Sequence, residues 1–131
     1  MISLVVDTNA LLRFLLNDIP SQVIQVQQKI EQAKLGKYSL VVPQIVVFEI
    51  AFALTKAYGF PKIDVAKNLK KIITSSYLQV DQDDIFTEAL DIYRDKNLSL
   101  PDCFIKIYAK RINAQIFTFD KNLEKLNSDS V

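Results

Sequence analysis

Two short apolar runs in this chain each stop at an aspartate. Ile2-Ser3-Leu4-Val5-Val6 ends at Asp7, and Ile116-Phe117-Thr118-Phe119 ends at Asp120. A continuous apolar run of this length fits a strand buried on both faces of a parallel sheet. The stretch between the two alternates helix and strand signals. Thr8 or Asn9 can cap a helix through Leu16, and Ser21 a second one to Gly36, a natural stop. Leu40-Val41-Val42 reads as a strand, and Pro43 opens a helix to Tyr58 that Gly59 closes. Pro61 to Ser75 is helical, Leu78-Gln79-Val80 a third strand, and Asp83 or Asp84 begins a helix through Asp95. Pro101 to Ile112 gives a last long helix before the strand Gln115 to Phe119. This order predicts an α/β fold: a single three-layer domain over residues 1–131, with a mainly parallel central sheet of four to five short strands flanked by helices.

Composition narrows the function classes. With 50% hydrophobic residues, 2 Gly and 4 Pro in 131 residues, the chain has enough apolar content for a proper core. Lys and Arg number 16 against 15 Asp and Glu, a net charge of +1, so a polyanionic partner needs a local basic patch. The lone Cys103 cannot form an internal disulfide and fits a reducing, cytoplasmic location. The N-terminal run is too short for a signal segment, and no stretch reaches the roughly 18 apolar residues of a membrane span. Having no His and one Cys argues against a zinc site, and any metal is expected to be held by oxygen.

Four acids stand apart from the solvated ones. Asp7 and Asp120 lie at the carboxyl ends of predicted strands, where open α/β sheets bind ligands, and each admits two readings: metal ligand or helix N-cap. Glu49 is the only charge between Val41 and Thr55 and shares a helical face with Ile45, Phe52 and Ala53, which predicts an inward carboxylate. Its alternatives are a metal ligand or an ion pair with a base such as Arg13. Asp102 sits in a first helical turn on a face continued by Ile105, Ala109 and Ile112, and its bland reading is helix-start stabilisation with Lys106 as a surface partner.

The residues around these acids resemble a known family. Val6-Asp7-Thr8-Asn9, Phe48-Glu49-Ile50-Ala51, Leu100-Pro101-Asp102-Cys103 and Phe117-Thr118-Phe119-Asp120 resemble, in order, the acidic motifs of the PIN-domain nucleases. Size and layout are similar to the VapC-like toxin branch of toxin–antitoxin pairs. The resemblance implies a metal-dependent endoribonuclease acting on single-stranded RNA and leaving a 5′-phosphate and a 3′-hydroxyl. It implies Asp7, Glu49, Asp102 and Asp120 as catalytic and metal-binding acids, with Thr118 and Asn9 supporting. It further implies a cognate antitoxin and a homodimer. The dimer also follows from the large apolar residues of the helices at 45–57 and 63–73, which exceed what one sheet contact requires. Two departures stand out: Cys103-Phe104 replaces the small residues common after the third acid, and the last strand after Asp120 is shortened or missing.

The chemistry follows from charge. Three or four clustered carboxylates repel, and a hard divalent ion, Mg²⁺ or Mn²⁺, suits an all-oxygen site. Such ions activate water and neutralise a phosphodiester in transition, and one ion or two can serve. Arg13, Lys56, Lys106, Lys110 and Lys121 are the cations nearest these acids in sequence, and each admits two readings: an ordinary solvated residue or a contact to an RNA backbone. A phospho-receiver domain requires paired acids near the first strand, and Asp7 stands alone. A dehalogenase-like phosphatase requires an Asp at position 9, which is Asn9. The main alternative is a non-catalytic PIN-like module for RNA or protein binding.

Overall fold

The computed structural model describes the backbone of residues 1–130 and the side chains of residues 1–127. The chain forms two compact units, Met1–Asp83 and Asp84–Val131. The first holds the sheet: β1 (Ile2–Val5), β2 (Tyr38–Val42) and β3 (Leu78–Val80) pair in the order β1-β2-β3, all parallel. Parallel neighbours need long crossovers. Here these are the helix pairs α1 (Thr8–Leu16) with α2 (Pro20–Lys34), and α3 (Gln44–Lys56) with α4 (Lys62–Ile73). The expected α/β class with a parallel sheet flanked by helices is therefore present, with three strands among the described residues where four to five were predicted.

The register explains which residues make the core. Leu4, Leu40 and Leu78 lie side by side, and Leu40 and Leu78 are buried, as are the next residues on that face, Val42 and Val80. The opposite face carries Val5, Val41 and Gln79 in register, and Val5 is 73% exposed. β1 is an edge strand with both Ile2 and Val5 exposed, so the expectation that it is buried on both faces is corrected. Among the crossover helices, α3 buries Val46, Val47, Ile50, Ala51 and Leu54, and α4 buries Val65, Ala66, Leu69, Ile72 and Ile73. Both sets recur at i, i+4 and i+7 or i+8, the stripe a helix needs to cover a core. Each fully buried Leu, Ile or Val among them contributes about 1.5–3 kcal/mol.

Helix ends follow local chemistry, with some differences from expectation. Asp7, rather than Thr8 or Asn9, caps α1 by accepting from the Ala10 N–H at 2.9 Å. α2 begins at Pro20 with Ile19 as N-cap and no side-chain cap bond, so Ser21 is inside the helix. A proline already fixes the first turn there, and its missing N–H removes one of the donors a cap would serve. Gly36 and Gly59, at φ +83° and +67°, follow the ends of α2 and α3 in the left-handed conformation that only glycine adopts freely.

The second unit is helical: α5 (Asp83–Asp95), α6 (Leu100–Arg111), α7 (Lys121–Glu124) and a 3-10 helix over Lys125–Ser130. α5 buries Ile85, Phe86, Ala89, Leu90 and Tyr93, and the Phe86 ring packs at 5.1 Å from Phe104 on α6. Arg111 at the end of α6 reaches back to α5, donating to the Asp84 carboxylate at 2.6 Å and to Glu88 at 2.8 Å. Gln115 to Phe119, predicted as a fourth strand, is not one. Its backbone bonds go elsewhere: the Ile116 N–H donates to Asn127 Oδ1 at 2.7 Å, and Asn127 Nδ2 donates to the Ile116 carbonyl at 2.9 Å. A side-chain amide thus substitutes for a neighbouring strand's peptide. The backbone up to Ser130 is 3-10 helix, in keeping with a missing last strand, and Val131 lies outside the described residues. Among the described residues no helix is long and apolar enough to cross a membrane.

Candidate functional site

In the first unit, the carboxyl end of β1 delivers Asp7 to the start of α1. Its Oδ1 accepts the Ala10 N–H, while its second oxygen makes no hydrogen bond among the described residues. Cap and ligand are therefore compatible roles for one carboxylate. Asp7 also helps to line a cavity of about 450 Å³ whose other walls are mostly apolar, including Leu4, Leu11, Val26 and Ile30.

Glu49 reaches the same neighbourhood from α3. The Thr8 hydroxyl donates to Glu49 Oε1 at 3.0 Å, joining residues 41 positions apart. The two expected acids of this unit are thus linked through the residue that follows Asp7. Glu49 is exposed, however, and so are Ile45 and Phe52 on its face. The inward, buried carboxylate inferred from that face is corrected, because the buried stripe of α3 is the one through Val46, Val47, Ile50 and Leu54. Arg13 is not its partner either. Arg13 Nε lies 2.8 Å from Asp18 Oδ1 without the N–H aimed well enough for a hydrogen bond, and Nη2 donates to the Tyr58 hydroxyl at 3.2 Å. Asn9 is exposed on the first turn of α1 and carries no side-chain bond among the described residues.

In the second unit, Asp102 lies in the first turn of α6 and is half-buried. Its N–H donates to the Ser99 hydroxyl at 3.3 Å, so Ser99 caps the helix and the carboxylate is left without a hydrogen bond among the described residues. The inward face expected for Asp102 is only partly so: Ala109 is buried, whereas Ile105 and Ile112 are exposed. Asp120 caps α7, its Oδ1 accepting from the Asn122 and Leu123 N–H groups at 2.8 and 3.2 Å. Thr118 Oγ1 accepts the Asp120 N–H at 3.0 Å, which fixes the turn that presents this carboxylate.

The cations sort differently from expectation. Lys106 is buried rather than a surface partner of Asp102, and its ammonium donates to the Leu126 carbonyl at 2.9 Å. Lys56, Lys110 and Lys121 are exposed, with no ion pair among the described residues. None of Asp7, Glu49, Asp102 and Asp120 is in an ion pair there either. Unneutralised carboxylate oxygens are the donor type that Mg²⁺ or Mn²⁺ takes. By donor chemistry the residues fit such an ion, although no three His, Cys, Asp or Glu side chains among the described residues are grouped to hold one. Thr8 is the participant that composition and spacing did not single out beyond a capping role. The signal for it is a hydroxyl directly after a strand-end acid.

Comparison with known proteins places these residues in a family context. The PIN domain model matches residues 4–128. A VapC ribonuclease of Aquifex aeolicus (strain VF5) is 24% identical over 126 residues, covering 95% of this chain and 93% of that protein. No solved structure matches. Since the family model spans nearly the whole sequence, this chain belongs to the PIN domain family.

Proposed function

We propose that this protein is a metal-dependent endoribonuclease that cleaves single-stranded RNA and acts as the toxin of a toxin–antitoxin pair. Similarity to a VapC ribonuclease along almost the whole chain supports the class. The observation that carries the reading is the Thr8–Glu49 hydrogen bond, which ties the acid of α3 to the residue beside the strand-end acid Asp7. Asp7, Glu49, Asp102 and Asp120 are the proposed catalytic and metal-binding residues, working within one functional domain over residues 1–131. These carboxylates would hold Mg²⁺ or Mn²⁺, which when bound would supply an acidified water and positive charge for the phosphodiester. The protein's own contribution is positional. Thr8 holds the Glu49 carboxylate, the α1 cap holds Asp7 by one oxygen, and the Thr118 turn holds Asp120.

No histidine is present, so proton transfer falls to carboxylates and water. The products expected are a 5′-phosphate and a 3′-hydroxyl. Exposed Lys56, Lys110 and Lys121 are proposed to contact the RNA backbone. A homodimer through the exposed Ile45, Phe52 and Ile63 of α3 and α4, a small antitoxin partner and a cytoplasmic location complete the reading. The experiment is co-expression in a bacterial host. The chain alone should slow growth, the Asp7→Asn form should not, and the neighbouring open reading frame should restore growth. A soluble, abundant and harmless parent chain would count against the toxin reading and favour a binding module.

A further inference from the structure

Arg13 projects from α1 and meets two partners within the unit Met1–Asp83. Its Nη2 donates to the Tyr58 hydroxyl at 3.2 Å, and its Nε lies 2.8 Å from Asp18 Oδ1. Both partners are themselves anchored. Asn17, at φ +52° in the left-handed conformation that asparagine tolerates, turns the chain at the end of α1 and returns Asp18 to the side of Arg13. The Asp18 carboxylate also accepts the Ile19 N–H at 2.9 Å. Tyr58 follows the last turn of α3, and its N–H donates to the Ala53 carbonyl at 3.2 Å.

The helices α1 and α3 therefore meet at two polar points. The Thr8 hydroxyl holds Glu49, and further along both helices in the same direction the Arg13 guanidinium holds Tyr58. A single hydrogen bond leaves two packed helices free to slide and turn about it, whereas a second one displaced along the axis fixes their register. Because Asp7 caps α1 and Glu49 projects from α3, that register is the spacing of two proposed catalytic acids. We propose that Arg13 and Tyr58 are positioning residues that brace α1 against α3 and so set the spacing of Asp7 and Glu49; this rests on the nuclease reading given above. Arginine suits the task because its planar fork is always charged and aims its donors in fixed directions, so one side chain can engage two elements at once. A lysine keeps the charge and loses the fork. The precision matters, since a misplacement of about 1 Å can cost about a hundredfold in rate.

The test uses the full-length chain and removes a single oxygen. Tyr58→Phe should lower single-turnover RNA cleavage about tenfold, the size of one hydrogen bond to a charged group, with RNA affinity in EDTA within twofold of the parent. Arg13→Lys should behave in the same way, because the charge alone does not brace. Mn²⁺ binding to the RNA-free protein, read by electron paramagnetic resonance, should weaken in both. In the double variant Thr8→Val with Tyr58→Phe, the rate loss should be smaller than the product of the two single losses, because both contacts serve one register. A side chain that only stabilises the fold would give multiplying losses and an unmoved Mn²⁺ affinity, and either result overturns the proposal. So does a Tyr58→Phe protein that cleaves within twofold of the parent. An Arg13→Ala protein that loses RNA affinity and salt dependence yet cleaves normally at saturating RNA makes Arg13 a phosphate contact, which also overturns it. Should Arg13→Ala fail to fold, the Tyr58→Phe result decides. If the parent cleaves and these variants match it, only the brace fails. If the parent does not cleave RNA with metal, the nuclease reading fails and takes the brace with it.

Discussion

Replacing Asn127 by alanine should loosen the segment that ends in Asp120. The asparagine amide makes two hydrogen bonds to a single residue, accepting from the Ile116 N–H at 2.7 Å and donating to its carbonyl at 2.9 Å. Each bond is partly buried, so water replaces it incompletely, and each contributes about 0.5–1.5 kcal/mol net. Losing both costs about 2 kcal/mol. At about 3–5 °C per kcal/mol for a chain of this length, the melting temperature should drop by about 6–10 °C. Thermal unfolding followed by circular dichroism reads the shift, and amide exchange at Ile116 localises it. Asn127→Asp separates the two bonds. At neutral pH it keeps an acceptor for the N–H but turns an oxygen toward the carbonyl, and once protonated at low pH it regains a donor. Its deficit relative to the parent should therefore shrink on acidification. An Asn127→Ala protein that melts within a degree of the parent, with Ile116 exchanging at the parent rate, would refute the clamp.

Thr8→Val removes the hydroxyl that holds Glu49. Single-turnover RNA cleavage should fall about tenfold, the size of one hydrogen bond to a charged group, with RNA affinity unchanged and Thr8→Ser restoring the rate. Arg111 holds the Asp84 carboxyl below the ordinary carboxylate range, chiefly through their hydrogen bond. A lowered folded-state value gives stability that is present above the ordinary range and lost as pH falls through the lowered one. The difference in melting temperature between parent and Arg111→Ala should accordingly be seen near neutrality and fade as pH falls below the ordinary carboxylate range. Gln82, between β3 and α5, has φ +62°, a left-handed conformation that costs a residue with a side chain about 1–2 kcal/mol. Gln82→Gly relieves that strain at the cost of a more flexible unfolded chain and should raise stability by about 0.5–1 kcal/mol in urea unfolding.

The parallel α/β class was legible because the alternation of apolar runs and helical stripes is a backbone-scale pattern. β3 falls on Leu78-Gln79-Val80 as read. The segment Gln115–Phe119 was not legible as non-strand. Its β-branched and aromatic residues suit an extended backbone equally well whether a strand or the Asn127 side chain takes the hydrogen bonds. The face of Glu49 failed for another reason. Ile45, Val46, Val47, Phe48, Ile50, Ala51, Phe52, Ala53 and Leu54 make α3 apolar nearly all round, so periodicity cannot choose the buried stripe. Lys106 was read as a surface cation because spacing does not show that a carbonyl twenty residues later waits for its ammonium. The four acids are singled out by the order and context of their motifs, not by any periodicity. Asp7 at the end of β1 and Asp120 after the non-strand segment both stand at helix starts, as caps whose second oxygen makes no hydrogen bond among the described residues.

The central claim is that Asp7, Glu49, Asp102 and Asp120 drive metal-dependent cleavage of single-stranded RNA. Its most direct test is the purified chain incubated with end-labelled single-stranded RNA, with Mg²⁺ or Mn²⁺ and with EDTA, beside Asp7→Asn, Glu49→Gln, Asp102→Asn and Asp120→Asn proteins shown by circular dichroism to be folded. The account predicts fragments bearing 5′-phosphates from the parent with metal, none in EDTA, and none from any of the four variants. Cleavage by the Asp7→Asn protein at the parent rate, or parent cleavage undiminished in EDTA, would contradict it.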